Sequence, residues 1–183
     1  NKNTKVKLGE IRREVQYAVL QCIVPTVAIN GSNPICLGQS TTLAVSGGQN
    51  YIWNTGSTTS SIIVTPTAIG TYTFSIATTV NPTCHISADT TVIVNPLPVI
   101  TASGNTTMCP GFSAPLSATG AGAGTYLWNP SATLTNPNSA NPIAHPAATG
   151  IYTYVVVGTD VNGCANTASV TVTTTNGPTA TAW

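Results

Sequence analysis

The chain has 183 residues, enough for one ordinary domain or two small ones, and a formal net charge of +1. Seven of its nine charged side chains (Lys2, Lys5, Lys7, Glu10, Arg12, Arg13, Glu14) fall in the first fourteen positions, and beyond them only Asp89 and Asp160 remain. So little charge excludes the basic stripe that nucleic acid requires and the cationic face that anionic lipid requires.

With 42% hydrophobic residues the chain has the material for a core, and no run reaches the roughly 18–20 apolar residues of a membrane span. Abundant threonine with Val, Ile and Tyr suits pleated, half-buried strands, and helix formers in 3.6-residue register are missing after residue 22. The class is all-β. There is neither an initiator methionine nor a signal peptide, so the chain reads as an excerpt from a longer polypeptide. The missing export signal therefore carries no information about compartment.

The first segment, "KVKLGEIRREVQYAVLQC" (5–22), alternates Ile11, Arg13, Val15, Tyr17 and Val19 on one face. It reads as one long strand, or a hairpin strand after the "NKNT" turn, with no partner strands of its own within the chain. Residues 1–30 are accordingly expected to be the terminal strand of a preceding domain plus a linker. The alternative is a strand donated to a neighbouring molecule, which would build a fibre by strand addition.

The rest of the chain is written twice. Cys36 pairs with Cys109, Gly38 with Gly111, Leu43 with Leu116, Trp53 with Trp128, Tyr72 with Tyr152, Cys84 with Cys164 and Val92 with Val172. The offset grows from 73 to 80 through two insertions, "GAGAG" before Trp128 and "NPSATLTNPNSANPIAHP" (129–146) after it, where loops would tolerate them. Two units follow, 31–98 and 99–178, with 179–183 as the start of a further linker. Proline-rich "VNPLPVI" (94–100) is the stiff junction.

Inside each unit the apolar period is two: Leu43 and Val45; Tyr72, Phe74 and Ile76; Val92 and Val94. The second unit repeats this with Leu116 and Ala118; Tyr152, Tyr154 and Val156; Val170 and Val172. Thr and Ser fill the alternate positions, the expected outward face of an antiparallel sheet. Short strands at this spacing predict a β-sandwich. Trp53 and Trp128, followed 19 and 24 residues later by Tyr72 and Tyr152 in Gly-x-Tyr, resemble the core tryptophan and corner tyrosine of immunoglobulin-type sandwiches. Phe74 and Tyr154 stand where antibody domains place the strand-F cysteine. The expectation is thus two tandem immunoglobulin-like sandwiches without that buried bridge, anchored by Trp53, Trp128, Tyr72 and Tyr152.

Four of the five cysteines obey the repeat. The expected disulfides are Cys36–Cys84 and Cys109–Cys164; a loop of about 48 residues would add up to roughly 4 kcal/mol. Reduced thiols and pairing across the junction are the alternatives, and Cys22 is left over. No C-x-x-C exists, and His85 and His145 have no repeat counterparts, so neither a metal nor another cofactor is expected. No G-x-S-x-G or phosphate loop occurs, and the carboxylates do not align between repeats, so no catalytic residue is assigned. "DVNG" (160–163) reads as a hairpin turn, since one acid cannot make a calcium cage. "DTT" (89–91) resembles an O-glycosylation acceptor of secreted bacterial proteins, with Thr90 as the acceptor; the alternative is a plain outward strand stretch.

"ICLGQSTTLAV…YIWNTG…GTYTF…C" and "MCPGFSAPLSA…YLWNPS…GIYTY…NGC" together resemble the tandem immunoglobulin/PKD-like repeats of large secreted bacterial surface proteins exported by the type IX route. The 6–22 segment is similar to the closing strand of a module that precedes such repeats in gliding-motility-associated adhesins. The resemblance implies a non-enzymatic, extracellular stalk segment of a cell-surface adhesin or filament. Its partners would be neighbouring repeats of the same polypeptide, surface glycans or a substratum. The other functions in view are a glycan-binding module, with Tyr51, Tyr126 or Trp183 on the sugar, and an accessory spacer of a secreted enzyme.

Overall fold

The computed structural model describes residues 26–31, 33–81, 84–122 and 124–177, and of residues 28, 29, 80, 81 and 84 the backbone only. The 5–22 segment, Cys22 and Trp183 lie outside the described residues. Contacts divide the chain after Asn95, three residues before the expected junction. Among the described residues all regular structure is strand.

The first unit contains β1 (Thr26–Asn30), β2 (Ile35–Cys36), β3 (Thr41–Ser46), β4 (Gln49–Trp53), β5 (Ser61–Val64), β6 (Gly70–Asn81) and β7 (Cys84–Asn95). One sheet has the order β1-β3-β5 and the facing one β2-β7-β6-β4. All pairings are antiparallel except β2 with β7. A first strand that pairs in one sheet, then crosses to lie parallel to the last strand of the other, is immunoglobulin-like topology.

The crossing is held by a side chain. Asn33 Oδ1 accepts from the Ile93 amide and its Nδ2 donates to the Thr91 carbonyl, both at 3.1 Å. This replaces a ladder rung where the chain is in neither sheet. Between β3 and β4 the chain changes layers through Gly47 and Gly48, whose φ of +81° and +85° lie where side-chain-bearing residues are disfavoured.

The second unit contains β8 (Thr101–Ser103), β9 (Thr106–Met108), β10 (Ala114–Pro115), β11 (Ser117–Thr119), β12 (Thr125–Asn129), β13 (Leu134–Thr135), β14 (Ile143–Ala144), β15 (Gly150–Thr159) and β16 (Ala165–Thr174). The sheet β12-β15-β16-β9 repeats the four-stranded layer of the first unit. The opposite layer is split into β11-β8 and β10-β14-β13. Pro115 stands where the first unit has Thr42 and lacks the amide that a central strand needs. Irregular bonds carry the connection instead, Leu116 N to Pro142 O at 2.9 Å and Ala118 N to Ala140 O at 2.8 Å.

Each unit closes its own core, around Leu43, Trp53, Ile76 and Val92 in the first and Leu116, Trp128, Val156 and Val172 in the second. The long insertion after Trp128, expected as a tolerant loop, is part of the second sandwich. It supplies β13 and β14 and the Pro137 carbonyl that accepts the Trp128 amide at 2.9 Å.

Candidate functional site

The tryptophans are the first candidates. Trp53 ends β4 and is 1% exposed; Trp128 in β12 is fully buried. Burying an indole leaves one N–H to satisfy, and each finds a backbone carbonyl: Thr59 O at 2.8 Å for Trp53 and Ser139 O at 3.1 Å for Trp128. Neither ring presents a face to a ligand. Tyr72 and Tyr152 open β6 and β15, and each hydroxyl donates to the carbonyl four residues back, Ala68 O and Ala148 O, both at 3.0 Å. These are corner tyrosines.

The other aromatics are also engaged. Tyr51 is half-buried and donates to Gly48 O at 3.0 Å; the Tyr126 hydroxyl accepts from the Ala121 amide at 3.1 Å. Tyr154 occupies the place of Phe74, and its buried hydroxyl pairs with Thr133 Oγ1 at 2.8 Å. The sequence marked Tyr154 as core but offered no partner for its hydroxyl. Thr133 lies inside the insertion and has no repeat counterpart.

The expected disulfides do not form. In the first unit the parallel register sets Cys36 opposite Asn95, at the end of the strand that Cys84 begins. Eleven residues of strand at about 3.3 Å each separate Cys84 from that place by roughly 36 Å, whereas a disulfide spans at most about 7 Å between Cα atoms. In the second unit Met108 is opposite Thr174, at the end of the strand that follows Cys164. Cys109 is an exposed free thiol. Cys36 and Cys164 are both disulfide-bonded, so the cysteine positions are oxidisable but the intra-repeat pairing is wrong. Cys36, and Met108 just before Cys109, do lie beside the last strand of their units, but at the opposite end from the one the bridge needs.

Thr90 lies opposite Phe74 and in step with Val92, on the packed side of β7, and is half-buried. Asp89 and Thr91 flank it on the other face. Asp160 Oδ1 accepts from the amides of Asn162 and Cys164, both at 2.9 Å, and so closes the β15–β16 turn. His145 Nδ1 is 3.0 Å from Ser113 Oγ on the surface, and His85 is exposed. Among the described residues no group of three or more His, Cys, Asp or Glu is placed to hold a metal ion.

The outer face of the four-stranded sheet of the first unit carries a shallow depression of about 250 Å³, lined by Ile52, Asn54, Ser75, Ala77 and Ser87 among others. It exposes aliphatic and hydroxyl groups and contains no ionisable side chain. Hydroxyl pairs also link neighbouring strands on exposed surfaces, Thr26 with Ser46 at 2.8 Å and Thr101 with Thr119 at 2.6 Å.

No family model and no curated protein matches this chain. Among solved structures it is similar to the fibronectin(III)-like modules of CbhA from Clostridium thermocellum, with 14% identity over 82% of this chain and 94% of that one, at a TM-score of 0.43. It is also similar to a C-terminal fragment of intimin in complex with the intimin-binding domain of the translocated intimin receptor (14% identity, 81% of this chain and 63% of that one, TM-score 0.47). A third similar structure is murine CEACAM1b (12% identity, 82% and 99%, TM-score 0.36). The chain itself is an all-β pair of immunoglobulin-like sandwiches.

Proposed function

We propose that this chain is a pair of non-catalytic extracellular modules, used as structural links in the stalk of a secreted bacterial cell-surface adhesin or filament. The observation that carries this reading is the sealing of both indoles. The two largest side chains of the repeat are consumed in building the sandwiches, and their N–H groups are bonded to backbone carbonyls. What remains outside among the described residues is rich in threonine and serine, interspersed with exposed aliphatic side chains such as Ile63 and Ile151, and carries almost no charge, which suits a passive spacer. Oxidised Cys36 and Cys164 support an oxidising compartment, outside the cytosol. The repeated C-x-G-x-S, Y-x-W and G-x-Y phrases support the adhesin stalk, gliding motility and type IX export as the finer assignment.

The reading is tested by pulling the chain from its two ends under reducing conditions while screening it against a glycan array. A spacer gives two separate unfolding events, each releasing on the order of 25 nm for 70–80 residues at about 3.5 Å per residue, and no glycan signal. Specific glycan binding that survives in a variant carrying Ile52→Asp would place a ligand site elsewhere than the depression. Binding lost in that variant would make the module a receptor and overturn the spacer reading.

A further inference from the structure

Asparagine followed by glycine carries a reaction of its own. The glycine amide nitrogen can close on the asparagine Cγ, because glycine has no side chain to obstruct the approach. The chain has three such steps, Asn30–Gly31, Asn162–Gly163 and Asn176–Gly177, and both residues of each are exposed. Access to water therefore does not separate them. Backbone freedom does, since ring closure requires rotation about the asparagine Cα–C bond. Asn162–Gly163 is locked in the β15–β16 turn. Asp160 Oδ1 accepts from the amides of Asn162 and Cys164, and the Gly163 amide, the attacking group itself, donates to Asp160 O at 3.1 Å. Asn30 ends β1 opposite Thr42, and its carbonyl accepts from Thr41 Oγ1 at 3.3 Å. Rotation at either site breaks these bonds. Asn176 stands beyond such restraints. The β15–β16 ladder ends at Thr174, opposite Gly150, and Thr175 N donates to Met108 O at 3.0 Å. Asn176 and Gly177 follow outside any strand.

We propose that Asn176 is a site of spontaneous covalent modification, its amide converted to a carboxylate as the folded protein ages. The Gly177 nitrogen, giving up its proton to water, attacks Asn176 Cγ. The new C–N bond forms as the side-chain NH2 takes up a proton and leaves as ammonia, and the product is a succinimide. Water then adds to one of the two ring carbonyls and breaks its bond to that nitrogen. Opening at the backbone carbonyl leaves isoaspartate, with the main chain rerouted through the side-chain methylene; opening at the side-chain carbonyl leaves aspartate. Water is the sole co-reactant, and nothing is oxidised or reduced. Either product places a negative charge just past the last strand of the second sandwich, where Asp160 is the only carboxylate among the described residues.

The test uses the purified 183-residue chain, held folded in mildly alkaline buffer and sampled over time. Each sample is digested with pepsin in acid, which halts the reaction, and mapped by mass spectrometry, with fragmentation distinguishing aspartate from isoaspartate. Asn176 is expected to convert at least about tenfold faster than Asn162 and Asn30, the factor that one or two backbone hydrogen bonds are worth, and to give both products. In urea the three rates are expected to converge. Gly177→Ala is expected to slow conversion at Asn176 without altering thermal unfolding. Gly177 is outside the positive-φ region, and an added Cβ would lie in ordinary contact with Cys109 Sγ, at 3.9 Å. Equal or faster conversion at Asn162 or Asn30 in the folded chain overturns the proposal. So does an Asn176 that stays intact while the unfolded chain converts, or aspartate as the sole product.

Discussion

Cys36 and Asn95 face each other across a parallel pair of strands, and Cys84 begins the strand that Asn95 ends. That relationship rules on the cysteines more firmly than their spacing can. In the purified 183-residue chain, peptide mapping without reduction is expected to recover no 36–84 and no 109–164 linkage. Iodoacetamide is expected to modify Cys109 in the native state. Either of those two linkages, found as the main species, would mean the parallel register is wrong.

Trp53 and Trp128 are each at the centre of a separate cluster. Trp53→Ala and Trp128→Ala are each expected to destabilise one unit by about 3–5 kcal/mol. The measurement is urea unfolding followed by amide exchange: protection should fall in the unit carrying the change and persist in the other. A uniform loss of protection across both units would contradict two independent cores.

The Tyr154–Thr133 pair is open to a double-mutant cycle. Tyr154→Phe restores the residue found at position 74, removing both the hydroxyl and its need for a partner, and should cost about 0.5–1.5 kcal/mol. Thr133→Val leaves the buried phenol without its bond and should cost more, about 1–3 kcal/mol. Combined with Tyr154→Phe, the Thr133→Val cost should largely vanish; strict additivity would show that the 2.8 Å contact contributes nothing.

Gly158 and Thr78 are repeat equivalents with opposite tolerances. Thr78 is buried in the first unit and bonds to Gln49 O at 2.7 Å. A Cβ at Gly158 would overlap Ile100 Cδ1. Gly158→Thr is therefore expected to overpack the second core and cost about 1–3 kcal/mol, with partial recovery when Ile100→Ala is added. Thermal unfolding of the single and double variants measures both, and a single variant as stable as the parent would remove the packing argument.

Asn105 Oδ1 accepts from the Thr171 amide at 2.7 Å, at the strand crossing that Asn33 clamps in the first unit. Asn105→Ala should cost about 1 kcal/mol and speed exchange of the Thr171 amide above that of its neighbours in β16. Unchanged exchange at Thr171 would show that the clamp does not hold the crossing.

Alternation of Leu43 with Val45, and of Phe74 with Ile76, was enough to assign strands and faces, because a pleated strand turns successive side chains to opposite sides whatever lies across from it. Repetition of Trp53 as Trp128 likewise marked two units, since a local phrase written twice needs no distant information. What the linear order could not express is which end of a strand a distant residue meets. Cys36 and Cys84 look like partners by position in the repeat, yet the parallel pairing sends them to opposite ends of β7. The insertion after Trp128 looks dispensable, yet it holds Thr133, Ser139 and two strands that complete the core. Local periodicity is set by backbone geometry within a few residues, and these depend on long-range closure of the sandwich, so only the tertiary structure could decide them.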